Sequence, residues 1–277
     1  KLHSTSVDAG SDIFLTNSFG SNALRLKLHN FGNRAFDLSK ISAEIAREVA
    51  DTYDKEVFVA GSVGPTGEIM QPFGHLSHEL AVEVFHEQAQ GLKEGGADLL
   101  WLETISAPEE FKAAAEAFSY LELPWVGTMS FDTAGRTMMG TSPAALVDLI
   151  SSIPNKPIAF GANCGTGAPD LLRTVQDFAK SSSNSLLIAK GNAGIPEYVD
   201  GNILYDGTPE LMAKYAVMAR NSGAKIIGGC CGTTPLHIRA MKKSLSENLT
   251  LGEISLDMIE VCFGKFSSKS DSSRVKD

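Results

Sequence analysis

Seven apolar runs of strand length recur along this chain, and each is followed by a helical pattern. The runs occupy residues 12–17, 57–63, 97–103, 125–131, 157–163, 185–190 and 224–229. The helical patterns fall at 38–54, 79–95, 107–119, 143–152, 169–180, 208–222 and 235–246. Near-continuous apolar strands belong to parallel sheets buried on both faces. Several helices have legible starts: Ser106-Ala-Pro, Thr208-Pro and Thr234-Pro each pair an N-cap candidate with an early proline. The βα unit recurs every ~30–45 residues. Seven units without a linker predict an α/β fold, a (β/α)8 TIM barrel lacking one unit. A doubly wound open sheet is the alternative. Against it, no Gly-x-Gly-x-x-Gly follows the first run. The barrel is expected to span 1–263, with a loose polar tail over 264–277.

Charge and cysteine usage narrow the function. The formal net charge is -9, and an acidic surface argues against nucleic acid as a partner. No run of about 18 apolar residues indicates a membrane span, and the opening residues are not those of a signal peptide. There are 4 cysteines, two of them neighbours, so no disulfide framework is expected. This usage reads as a cytoplasmic protein with reduced thiols. A homo-oligomer is compatible with the sequence.

Three of the cysteines lie where runs end and glycine-rich turns begin. Cys164 stands in Gly161-Ala-Asn-Cys-Gly165, and Cys230 and Cys231 in Gly228-Gly-Cys-Cys-Gly-Thr-Thr-Pro235. The two clusters are two βα units apart, so both reach the C-terminal face of a barrel, where active sites of that fold sit. A lone buried cysteine is usually a small hydrophobe; three converging from strand ends predict a zinc site with one open position. The spacing lacks Cys-x-x-Cys, which disfavours a redox dithiol. Three thiolates around zinc leave a charge of about -1, and a bound substrate thiolate makes it about -2. Such a soft centre suits holding a thiol as thiolate better than making hydroxide. It also favours a cationic methyl donor.

With these motifs in view, the sequence resembles the zinc-dependent homocysteine S-methyltransferase family. The matching stretches are Asp12-Ile-Phe-Leu-Thr-Asn-Ser-Phe-Gly20, Gly61-Ser-Val-Gly-Pro-Thr-Gly-Glu68, Glu103-Thr, Met129-Ser-Phe-Asp132 with Gly135-Arg-Thr, Gly161-Ala-Asn-Cys164, Asn192-Ala-Gly-Ile-Pro196 and the Cys230-Cys231 motif. They run nearly the length of the chain, in order, and are most like those of bacterial betaine–homocysteine methyltransferases. The resemblance implies zinc as cofactor, homocysteine and a small methyl donor as substrates, and methionine as product. Glycine betaine is the favoured donor; S-methylmethionine or a methyl-corrinoid partner are the alternatives. A non-catalytic zinc-stabilised barrel and a redox thiol protein are rivals of other classes.

Glu103 ends the third run. On its own it reads as a strand-end carboxylate, solvated or capping; the resemblance assigns it the homocysteine ammonium. Asn192 reads as a turn asparagine, and the resemblance makes it a fourth metal ligand when substrate is absent. Asn163 and Thr128 read as structural or substrate-side neighbours. Phe19 and Phe131, near strand ends, are candidates to hold a methylammonium donor by cation–π attraction. Trp101 shares the strand parity of Glu103 but reads as core. His237 is expected at the surface of the last helix, and Cys262 as an ordinary thiol. The family's opening, an Asp-Gly turn after a first strand, has no match before Asp12. A slot is therefore expected beside the first run, to be filled by a longer native chain, by residues 249–263 or by a neighbouring chain.

Overall fold

The computed structural model describes residues 1–132, 134–182, 184–194, 196–199, 201–249 and 252–267. A helix α1 (Leu2–Asp8) leads into β1 (Ile13–Leu15); α2 (Ala23–Lys27), a 3-10 turn (Gly32–Arg34) and α3 (Ala35–Ala50) follow. Then come β2 (Phe58–Val63), α4 (His78–Glu94), β3 (Leu99–Ile105), α5 (Pro108–Ser119), β4 (Trp125–Met129), α6 (Pro143–Ser152), β5 (Ala159–Cys164), α7 (Ala168–Ser181) and β6 (Leu187–Gly191). The chain continues through β7 (Pro196–Val199), β8 (Asn202–Tyr205), α8 (Pro209–Asn221), β9 (Ala224–Gly229), α9 (Pro235–Glu247) and α10 (Leu256–Phe263).

All seven expected runs form strands of one sheet, ordered β1-β2-β3-β4-β5-β6-β9. Helices alternate with them. Among the described residues this is a (β/α)8 barrel topology with one strand fewer, and α1 stands ahead of its first strand. β7 and β8, not expected from the sequence, pair as a separate antiparallel hairpin. Among its described residues the segment 249–263 forms no strand: residues 256–263 are helical, because Ser255 caps the Met258 amide and Ile259 is buried as α10 packs on α7.

The chain packs as two compact units: Lys1–Thr128 with Leu149–Ile158, and Met129–Asp148 with Ala159 onward. In the first, β2 and β3 are buried on both faces, which explains their unbroken apolar runs. Its core gathers Phe111 and Phe118 on Trp125, each with ring centroids 5.5 Å away. Asp98 accepts from the Val59 amide at 2.7 Å and from Arg47 Nη1 at 3.0 Å, tying β2 and α3 to the start of β3. In the second unit, Phe131 and Phe160 meet Phe178 edge-on at 5.5 and 5.6 Å. β5 and β6 approach so closely at Gly161 that a Cβ there would lie 2.0 Å from Ile188 O. Only glycine admits that register, and the register carries Asn163 and Cys164 to the strand end. Of the tail expected over 264–277, residues 264–267 lie within the described structure and 268–277 lie outside it.

Candidate functional site

β5 ends on Cys164, whose backbone sits in the left-handed region at φ 61°. A non-glycine residue there costs roughly 1–2 kcal/mol, so the surrounding packing must hold it. β9 runs out at Gly229, and Cys230 and Cys231 open the turn that follows. The loop after β6 holds that turn by its backbone. The Cys230 amide donates to Gly191 O at 2.7 Å, and the Ala193 amide donates to Cys231 O at 2.9 Å. The result brings Cys164 Sγ to 3.4 Å from Cys230 Sγ and 3.6 Å from Cys231 Sγ. All three sulfurs lie within 4.8 Å of one another, and all the cysteines are free thiols. Cys164 and Cys230 are half-buried and Cys231 is exposed.

Cys231 and Cys164 are pushed in opposite directions. Hydrogen bonds from Cys164, then from Cys230 and Tyr205, pull the Cys231 pKa well down, against the opposing effect of burial. The Cys164 pKa is pushed far up, first by its hydrogen bonds to Cys230 and Cys231 and then by burial. The hydrogen bonds that Cys231 accepts thus favour its thiolate form. Removing all three protons requires a compensating positive charge, which is what a divalent cation brings.

Two asparagines frame the cluster. Asn163, fully buried, directs Nδ2 at Cys230 Sγ, 3.7 Å away. Asn192, 3% exposed, spans the two cysteine loops: Nδ2 donates to Gly165 O at 3.0 Å, and Oδ1 accepts from the Cys231 amide at 3.1 Å. Tyr215 backs this loop, its buried hydroxyl accepting from the Gly191 amide at 2.9 Å. Tyr205, which the sequence analysis passed over, hydrogen-bonds Cys231 from β8. Burial first, and then that bond, raises the Tyr205 pKa. Its ring lies over Gly232, where a Cβ would come within 2.4 Å of Tyr205 Cγ and where φ is +74°. The overlooked signal was the Asp200-Gly201 dipeptide, a hairpin turn signature.

His237, expected at the surface, is buried. Its Nδ1 accepts from the Thr234 amide at 3.0 Å, leaving Nε2 to donate to Gly207 O at 2.8 Å. The cap of α9 thereby anchors the loop before α8, because the chain entering a helix has amides to satisfy.

Glu103 belongs to the first unit. It is 6% exposed and accepts from Ser62 Oγ at 2.6 Å. Ser62 is itself fixed, its amide donating to Thr16 Oγ1 at 2.9 Å. The nearby Trp101 is buried, with Nε1 3.4 Å from Thr128 Oγ1, as a core residue should be. Phe19, 41% exposed, is also in the first unit. Phe131 is 3% exposed in the second, with its ring on Phe178. A second buried carboxylate went unnoticed in the sequence: Glu110 Oε1 accepts from the Thr66 amide and hydroxyl at 2.7 and 2.6 Å. It pins the Gly-Pro-Thr-Gly loop after β2.

A parallel α/β fold of barrel type with three free thiols gathered at strand ends defines a class: barrel proteins that carry a cysteine cluster where their strands end. The chain belongs to the homocysteine S-methyltransferase family, whose sequence model matches residues 1–245. Among solved structures it is similar to the homocysteine methyltransferase MmuM from Escherichia coli. The metallated form of that protein aligns at 25% identity and a TM-score of 0.73, covering 87% of this chain and 82% of that one. The oxidized form aligns at 25% and 0.72 over the same shares. The apo form, at 23% and 0.68, shows likeness of fold.

Proposed function

We propose that this protein is a zinc-dependent enzyme that moves a methyl group from a cationic donor to the thiol of homocysteine, giving methionine. The observation that carries the reading is the sulfur triangle. A tetrahedral zinc with Zn–S bonds of about 2.3 Å sets its sulfurs about 3.8 Å apart. The edges at Cys164 are 3.4 and 3.6 Å, close to that spacing and far from a disulfide bond. Among the described residues only these three cysteines form such a group, which leaves a position for substrate. Bound zinc would hold the incoming homocysteine as a thiolate, while its sulfur-rich surroundings keep that sulfur nucleophilic.

The chain's own residues do the rest. Glu103 takes the homocysteine ammonium. Asn163 steadies Cys230 and Asn192 steadies Cys231, by the hydrogen bonds described. Negative charge gathered on the thiolates attracts an onium donor, glycine betaine first. As the new S–C bond forms, the pair from the broken bond stays on the donor. Phe19 has an exposed ring for the donor's methylammonium, whereas the Phe131 ring is already engaged with Phe178. Free thiols fit a reducing, cytoplasmic setting. No described helix is long and apolar enough to cross a membrane.

The test is an assay of homocysteine against glycine betaine, S-methylmethionine and a methyl-corrinoid, with bound zinc measured on the same sample. Methionine from an onium donor in proportion to zinc supports the reading. Stoichiometric zinc with no turnover from any donor would point instead to a zinc-stabilised barrel.

A further inference from the structure

The residues after the family-matched span, which ends at 245, fold back onto α7, the helix that follows Cys164. α10 is moored on α7 by buried Ile259, and Gln176 Nε2 of α7 donates to Ile254 O at 2.8 Å. The chain then reaches the first turn of α7, where Asp170 and Arg173 form a buried ion pair, 3% and 5% exposed. Asp170 Oδ2 accepts from two sides: Thr166 Oγ1 at 3.0 Å and the Ser267 amide at 3.0 Å. Phe266 lays its ring against the Arg173 guanidinium, 4.7 Å from Cζ to the centroid. Thr166 is two residues beyond Cys164, in the turn that follows it, and Cys164 has a left-handed φ of 61°.

We propose that Phe266 and Ser267 are positioning residues for Cys164. The C-terminal segment is a strap that seals the Asp170–Arg173 pair, and that pair holds the Thr166 turn. The physics is local. A buried ion pair is strong only while water is kept out and its remaining lone pairs are satisfied. Phe266 excludes the water, and Ser267 fills a lone pair of the same oxygen that Thr166 uses. Without the strap, Asp170 is solvated, the Thr166 bond weakens, and a strained Cys164 relaxes away from its partners. Outer partners of metal sites typically alter affinity 10–100-fold. The inference rests on the reading of Cys164 as a ligand.

The test uses the full-length protein with Phe266→Ala, Phe266→Leu and Ser267→Pro, the last deleting one amide donor. Zinc release to a chromophoric chelator is timed for each. In metal-free protein, the labelling of each cysteine by iodoacetamide is followed by peptide mass. Phe266→Ala and Ser267→Pro should each release zinc about tenfold faster or more, and Phe266→Leu should fall between them and the parent. Labelling of Cys164 should quicken while that of Cys262 stays constant. Val261→Ala, on the exposed side of α10 at 86% exposure, should change neither. Parental release and labelling in folded Phe266→Ala and Ser267→Pro proteins overturn the strap. A parent protein that binds no zinc sinks the metal reading instead, and the Cys164 labelling rates still decide the strap.

Discussion

Asn192 holds Cys231 by its backbone rather than by its sulfur: the Cys231 amide donates to Asn192 Oδ1 at 3.1 Å. The same side chain donates to Gly165 O at 3.0 Å, so one carboxamide fixes both cysteine loops. Asn192→Ala should therefore weaken zinc binding by about 10–100-fold. Asn192→Asp keeps the acceptor for Cys231, loses the donor to Gly165 and adds a negative charge beside three thiols. Equilibrium zinc competition measures both. Affinity unchanged in Asn192→Ala would show that the backbone bonds at Gly191 and Ala193 suffice.

The cysteines themselves make a sharper contrast. Replacing Cys164, Cys230 or Cys231 singly by Ser should cost more than the outer-partner range of about 100-fold in zinc affinity, and nearly all methyl transfer. Cys262, on α10 and outside the sulfur triangle, should be replaceable with zinc and turnover intact. Full activity in Cys231→Ser would end the assignment.

The inner sheet strands β2 to β6 were legible because both faces are buried, which writes an apolar run into the sequence wherever such a strand passes. The three cysteines were legible for a related reason: strand ends in this fold face one way. What escaped was built from short or compensated pieces. β7 and β8 are four residues each, too short for periodicity to register, and so Tyr205 was missed. Asp170 and Arg173 look like an ordinary solvated (i,i+3) pair on a helix; only tertiary cover turns them into a buried one. His237 was read by its position in a first turn, where solvent is usual, but its ring is consumed by the cap. The C-terminal helix was hidden because it is short, 8 residues, and apolar nearly all round, so no helical stripe stands out, although Ile259 alone is fully buried.

Tyr205→Phe isolates the hydroxyl, since the ring can stay over Gly232. A hydrogen bond to an anion favours the anion, so losing it should raise the pKa of Cys231 in metal-free protein. A charge-assisted bond contributes about 1.5–3 kcal/mol, which corresponds to about one pH unit or more. The pH profile of Cys231 alkylation, resolved from that of Cys230 by fragment-ion masses within their shared peptide, reads this directly. An unmoved profile would mean that Tyr205 serves only as packing.

Glu103→Ala should raise the homocysteine KM at least tens-fold while zinc stays bound, because the substrate ammonium would lose its carboxylate. Truncating one partner of a buried charge pair costs about 2–5 kcal/mol. Glu103→Gln, which keeps an acceptor for Ser62 Oγ, separates charge from local structure. If Gln restores the parental KM, the charge is not what binds the substrate.

Glu110 predicts a pH dependence of stability with a definite sign. Burial raises its pKa above the ordinary carboxylate value, outweighing the Thr66 hydroxyl and amide and the Arg25 charge, which act the other way. The folded state thus binds this proton more tightly than the unfolded chain does. The stabilisation is complete below the unfolded carboxylate pKa and is lost as pH rises through the raised folded value. Glu110→Gln keeps an Oε1 acceptor for Thr66 and has no charge to desolvate. The melting temperature of the variant, relative to the parent, should therefore climb across that window and level off above it. The expected rise is of the order of a few degrees. A constant difference between the two proteins from acid to neutral pH would show that Glu110 is no better protonated in the fold than out of it.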